Sequence, residues 1–185
     1  MTECPFFLHK TYGDRINFRC VYNCSRQQFR DNETKLCTYE CSDGYFADNT
    51  TYMCVKDCPV GTFAETINKT CVLFCPTNYF GYVNERKCVE TCDHWRYFAD
   101  NTSWLCVQEC PSEPDYYEDP TTKECVDICP NGRYAEPIGR KCSIAKNCAG
   151  GRVADPTTNR CVARCTSDPM YFVQPSTNLC GPVCE

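Results

Sequence analysis

Cysteine carries most of the chemistry this chain has to offer, with 21 of them in 185 residues. A cysteine can act as a nucleophile, hold a soft metal or close a disulfide, and spacing separates these roles. The first is Cys4. From Cys20 onward the cysteines fall in close pairs: Cys20/Cys24, Cys37/Cys41, Cys54/Cys58, Cys71/Cys75, Cys88/Cys92, Cys106/Cys110, Cys125/Cys129, Cys142/Cys148, Cys161/Cys165 and Cys180/Cys184. All are C-x3-C except Cys142/Cys148, which is widened to x5. Zinc ribbons favour C-x2-C knuckles, and the chain has none. A nucleophilic thiolate needs a neighbouring base, and the only histidines are His9 and His94. Disulfides remain. So dense a set of cysteines is sustained only where thiols oxidise, which implies an extracellular or cell-surface location.

Two further sets of residues bear on chemistry. Five N-x-[ST] sequons begin at Asn23, Asn32, Asn49, Asn68 and Asn101, and all but Asn23 fall in a turn-rich stretch suited to a glycan. N-linked sugar is therefore expected at Asn32, Asn49, Asn68 and Asn101, and less so at Asn23 beside its cysteine. Asp48, Asp100, Asp119 and Asp155 recur at equivalent places, which raises calcium. No segment gathers the five or more closely spaced oxygens of a loop site, and Asx turns account for the same aspartates. No metal or organic cofactor is expected.

The elements that position these residues follow from the period. Cys20, Cys37, Cys54, Cys71 and Cys88 recur at one strict interval, which then stretches slightly through Cys106, Cys125, Cys142, Cys161 and Cys180. Each unit is therefore one supersecondary element. The unit reads C-P-x-G-x-[FY]-A-[DE]-x-x-T-x-x-C-V-x-x-C, clearest in CPVGTFAETINKTCVLFC from Cys58 to Cys75. Proline sets the chain leaving the cysteine, and glycine (Gly44, Gly61, Gly132, Gly151) permits a bend at positive φ. Phe46, Phe63, Phe80, Phe98, Tyr117, Tyr134, Val153 and Phe172 are expected to pack against the neighbouring unit's disulfide. Asp-Asn-Thr and Asp-Pro-Thr build the turn, and valine after the next cysteine restarts a strand. The predicted fold is a small disulfide-rich repeat array: tandem short β-hairpin loops of about 17–19 residues stacked into an elongated rod, with little or no helix. Residues 1–23 read as an irregular first loop (Cys4–Cys20) and 24–184 as nine tandem hairpin repeats, with no separate globular domain.

Composition agrees. Leu, Ile, Val and Phe together fall below the roughly 20% that an ordinary core requires, so crosslinks must take its place. A net charge of −5 without basic runs argues against nucleic acid as a partner. The longest apolar stretch, Cys71 to Cys75, is far too short for membrane insertion.

The unit resembles the furin-like cysteine-rich repeats of growth-factor receptors, whose C-V-x-x-C-P opening stands here as Cys54-Val55-Lys56-Asp57-Cys58-Pro59. Long tandem versions are similar to cysteine-rich surface proteins of ciliates and other protists. The resemblance covers residues 20–184 and implies a disulfide across each long loop: Cys4–Cys20, Cys24–Cys37, Cys41–Cys54 and so on to Cys165–Cys180. The period supports that choice, because it places one identical crosslink in every unit. Cys184 is then the odd cysteine, with no capping unit expected after it. Two readings of function follow. One is a structural extracellular glycoprotein whose copies join head to tail in a filament or surface coat, alongside other matrix or surface proteins, with Cys184 as an intersubunit thiol. The other is a fragment: the cysteine-rich stalk or ligand-binding segment of a larger receptor or antigen. That second reading points to His94-Trp95-Arg96-Tyr97 and to residues 113–117, where loops lengthen. An enzyme is not expected.

Overall fold

The structure, a computed structural model, describes residues 11–25, 27–93, 95–165 and 170–182. Cys4, His9, His94 and Cys184 lie outside the described residues, and so does the Cys4–Cys20 pairing. The chain divides into two compact units, residues 1–90 and 91–185.

Each unit holds five hairpins of short strands. The first contains β1 (Tyr12–Asp14), β2 (Arg19–Val21), β3 (Phe29–Asp31), β4 (Leu36–Thr38), β5 (Phe46–Asp48), β6 (Met53–Val55), β7 (Phe63–Glu65), β8 (Thr70–Val72), β9 (Phe80–Tyr82) and β10 (Lys87–Val89). The second contains β11 (Phe98–Asp100), β12 (Leu105–Val107), β13 (Tyr117–Asp119), β14 (Glu124–Val126), β15 (Tyr134–Glu136), β16 (Lys141–Ser143), β17 (Val153–Asp155), β18 (Arg160–Val162), β19 (Phe172–Gln174) and β20 (Leu179–Gly181). Helix is confined, among the described residues, to one 3₁₀ turn at Ala145–Asn147. It absorbs the extra length of the widened Cys142/Cys148 pair. Within the stretch read as an irregular first loop, β1 and β2 pair antiparallel as the strands of the other hairpins do.

Every hairpin pairs antiparallel around its closing cysteine, as Ala47 opposite Cys54 and Ala135 opposite Cys142 illustrate. Strands this short have few ladder bonds and are marginal alone. A second interaction joins them within each unit: the first strand of one hairpin meets the second strand of the next in a single parallel bridge. The partners are Gly13 and Leu36, Arg30 and Met53, Ala47 and Thr70, and Ala64 and Lys87 in the first unit. In the second they are Ala99 and Glu124, Glu118 and Lys141, Ala135 and Arg160, and Ala154 and Leu179.

Disulfides close the hairpins consecutively: Cys24–Cys37, Cys41–Cys54, Cys58–Cys71, Cys75–Cys88, Cys92–Cys106, Cys110–Cys125, Cys129–Cys142, Cys148–Cys161 and Cys165–Cys180. Their cysteines supply much of the buried surface. First-strand aromatics pack on the disulfide of the following hairpin. Phe29 lies with Cys41, Ala47 and Cys54, and Phe46 packs against Cys58, Ala64 and Cys71. Phe98 lies with Cys110 and Cys125, Tyr117 with Cys129 and Cys142, and Tyr134 with Ala154 and Cys161. The core is thus a series of small clusters set at the joints.

Glycine after the opening cysteine serves the backbone. Gly61 has φ +85°, and a β-carbon added there would meet nothing within 4 Å, so conformation and not space selects it. Asn78 takes the equivalent place at φ 69°.

Candidate functional site: turns, sequons and repeat joints

The distal turn is the most regular constellation in the molecule. Eight hairpins end their first strand on an acid, and each is buried: Asp14, Asp31, Asp48, Glu65, Asp100, Asp119, Glu136 and Asp155, at 0–2% exposure. Four loop residues follow. Asp48 shows the arrangement: Oδ1 accepts from the Thr50 amide at 2.9 Å and the Thr50 hydroxyl at 2.8 Å, while Oδ2 accepts from the Thr51 hydroxyl at 2.6 Å. Asp100 repeats it with Thr102 and Ser103, and Asp155 with Thr157 and Thr158. These are the Asx turns read from the sequence. Burial raises what depends on them, because a carboxylate out of water must find its hydrogen-bond donors locally.

The electrostatics follow from those bonds. Asp14 is held below the usual carboxylate range chiefly by the side-chain bond from Asn17. At Asp31, Asp48 and Asp100 burial pushes the carboxyl up, yet the bonds from Ser42, Thr51 and Ser103 and the turn amides together outweigh it and leave the pKa lowered. The acid also reaches the next hairpin. The Ser42 hydroxyl donates to Asp31 at 2.5 Å and the Ala149 amide to Glu136 at 2.6 Å. Arg133 lies 3.9 Å from Asp119, and Arg152 lies 3.7 Å from Glu136.

The fourth loop residue is left-handed in every turn: Phe18, Lys35, Tyr52, Lys69, Arg86, Trp104, Lys123, Arg140, Asn159 and Asn178 have φ between 46° and 61°. Sequence reasoning did not find this position, because no glycine marks it. Its carbonyl is the acceptor at the joint. Gly13, Arg30, Ala47 and Ala64 donate to Lys35, Tyr52, Lys69 and Arg86 at 2.7–2.9 Å, and the second unit repeats the rule at 2.7–3.0 Å. Its side chain reaches back as well. Tyr52 stacks on Phe29 with centroids 6.3 Å apart, and Lys123 stands 5.2 Å over Phe98. The Asn159 amide donates to the Cys129 carbonyl at 2.8 Å, and the Arg140 guanidinium donates to the Pro111 and Tyr116 carbonyls.

The expected site residues sort against this frame. Asn32, Asn49 and Asn101 are the first loop residue of their turns, exposed and directly after the buried acid. Asn68 is the third loop residue and donates its side-chain amide to Glu65 at 2.9 Å. Asn23 is exposed on the connector before Cys24. Cys20 is disulfide-bonded yet exposed, whereas the closing cysteines Cys37, Cys54, Cys71, Cys88, Cys106, Cys125, Cys142, Cys161 and Cys180 are all buried. The Glu136 carboxylate lies within 4.8 Å of Cys148 and Cys161, but those sulfurs are bonded to each other and carry no thiolate to offer a metal. No helix among the described residues is long and apolar enough to cross a membrane. The chain is a cysteine-rich tandem-repeat protein with consecutive disulfides. No protein-family model, curated protein or solved structure matches it.

Proposed function

We propose that this chain is a structural extracellular glycoprotein whose copies join head to tail in a filament or surface coat. The single observation that carries the reading is the complementarity of two open strands. Within each unit a first strand hands its central amide to the left-handed carbonyl of the following turn. β2 and β19 are the two strands whose first two residues are both exposed among those described. At β2 the left-handed residue Phe18 is 92% exposed, and at β19 Phe172 and Val173 are 43% and 44% exposed. A second copy's β2, set against β19, would repeat the joint used within each unit: Val173 amide to Phe18 carbonyl, with Phe18 over Phe172. A head-to-tail contact that does not close gives a filament. Cys184, beyond the described residues, is assigned to a covalent link between copies, and the furin-like likeness and the sugars belong to the same reading.

Sedimentation velocity and light scattering on the purified, non-reduced protein test it. The expected result is concentration-dependent assembly, lost in Val173→Pro, which removes the edge amide without touching a β19–β20 bond. A single-chain mass at all concentrations overturns it. The receptor-stalk reading has less to stand on: of its candidate residues, Tyr97 and Tyr117 are buried, while Trp95 stays exposed under the Arg96 guanidinium.

A further inference from the structure

The turn frame separates sequons that look alike in sequence. The first loop position holds Asn32, Asn49 and Asn101 in three turns and Pro120, Pro137, Pro156 and Pro175 in four others. Proline offers no amide hydrogen and no side-chain donor, so the buried acid asks nothing of that position. All seven side chains are exposed there, and Asn32 meets the Tyr12 hydroxyl at 2.6 Å through Oδ1, not through the nitrogen that a glycan would take. A substituent on an asparagine at this place leaves every bond to the buried acid intact. The hydroxyl that completes each of these sequons (Thr34, Thr51, Ser103) is itself the third loop residue, and Thr51 and Ser103 each donate to their acid at 2.6 Å.

The third position is the opposite case. Gly139 and Glu85 hold it without a donor, but side chains that can donate bond inward: Asn17 to Asp14 at 2.6 Å, Thr122 to Asp119 at 3.0 Å and Thr158 to Asp155 at 3.0 Å. Asn68 does the same to Glu65, which is 2% exposed. Asn17 is the decisive comparison. It stands at the same place, makes the same bond and belongs to no sequon, since Asn17-Phe18-Arg19 lacks the hydroxyl. Asparagine is therefore used at this position as a turn donor in its own right, and the sequon at Asn68 arises because Thr70 happens to begin the next strand.

We infer that N-glycans are carried at Asn32, Asn49 and Asn101, and that Asn68 is a structural turn residue left unmodified. Transfer forms a bond from asparagine Nδ2 to the anomeric carbon of a lipid-pyrophosphate-linked oligosaccharide. It breaks the anomeric C–O bond to pyrophosphate and releases one amide proton, with no change of oxidation state. Asn68 is exposed like the other three, but the new substituent there would replace a hydrogen on the nitrogen that donates to the buried Glu65 carboxylate. At the other three it projects from the turn.

The inference rests on the extracellular reading above, but not on head-to-tail assembly. The test is glycosidase treatment in heavy-oxygen water and peptide mass spectrometry of the chain secreted from a eukaryotic cell, with its disulfides mapped on the same sample. Expected are conversion of Asn32, Asn49 and Asn101 and no conversion of Asn68. Conversion of Asn68 to the same extent overturns the inference and leaves secretion standing. No conversion anywhere, with the disulfides formed, overturns it together with the glycoprotein reading. A second readout is independent of the transferase. Asn68→Thr, which supplies the donor found in neighbouring turns, keeps the melting temperature, and Asn68→Val lowers it. Equal melting of both variants and the parent contradicts the turn-donor role.

Discussion

At the residue scale the turn carboxylate organises the hairpin. Asp100 accepts three bonds, from the Thr102 amide, the Thr102 hydroxyl and the Ser103 hydroxyl. Asp100→Ala leaves those donors facing a buried void, and we expect a loss of about 1–3 kcal/mol by thermal or denaturant unfolding. Asp100→Asn keeps Oδ1 for the amide and lets the Ser103 hydroxyl turn to accept, so its loss is expected to be smaller. Acid works on the same groups. Asp14, Asp31, Asp48 and Asp100 have folded pKa values below their ordinary one, so the stability they contribute is complete above about pH 4 and is lost as pH falls through the folded values. Glu118, raised by burial and by Glu109, acts in the opposite sense. Asp43 at the surface, lowered by its bond from Lys69, sides with the turn aspartates, so five groups against one predict net acid destabilisation, and unfolding midpoints measured from pH 6 to pH 2 should fall. A flat profile would contradict the arrangement. The sequence revealed Asp48, Asp100, Asp119 and Asp155 as turn formers but not as buried groups, because neighbouring hairpins contribute to the burial: Ser42 closes over Asp31 and Ala149 over Glu136.

At the scale of the element, each hairpin is held by its own crosslink and by its neighbour. The Cys41–Cys54 disulfide closes a loop of sequence separation 13 and receives Phe29 from the preceding hairpin. Cys41→Ser with Cys54→Ser is expected to cost about 2–4 kcal/mol locally. Hydrogen exchange should then rise over residues 29–55 and stay low in β15–β18, as nearest-neighbour coupling in repeat arrays requires. A uniform rise would mean that the hairpins fold as one body. The hairpins and their turns were legible because cysteine, glycine, proline and aspartate each mark a backbone demand. The joints were not. A single parallel bridge such as Ala47 to Thr70 leaves no pattern in sequence. The left-handed residue is equally silent, since Tyr52, Trp104 and Arg140 give no sign of a conformation that costs L-residues about 1–2 kcal/mol. Closure of the turn, with the Tyr52 amide on the Asp48 carbonyl at 2.8 Å, offsets that cost and aims the Tyr52 carbonyl at Arg30.

At the scale of the molecule, hairpins that individually bury little gain order by repetition, and the proposed assembly extends the rule that joins one hairpin to the next to a contact between copies. The central claim is that the open strands β2 and β19 complete each other between copies. Negative-stain electron microscopy of the non-reduced protein beside Val173→Pro tests it most directly. The account predicts uniform filaments with a regular axial repeat for the parent chain and separate particles for the variant. Separate particles from the parent at every concentration, or filaments undiminished in the variant, would contradict it.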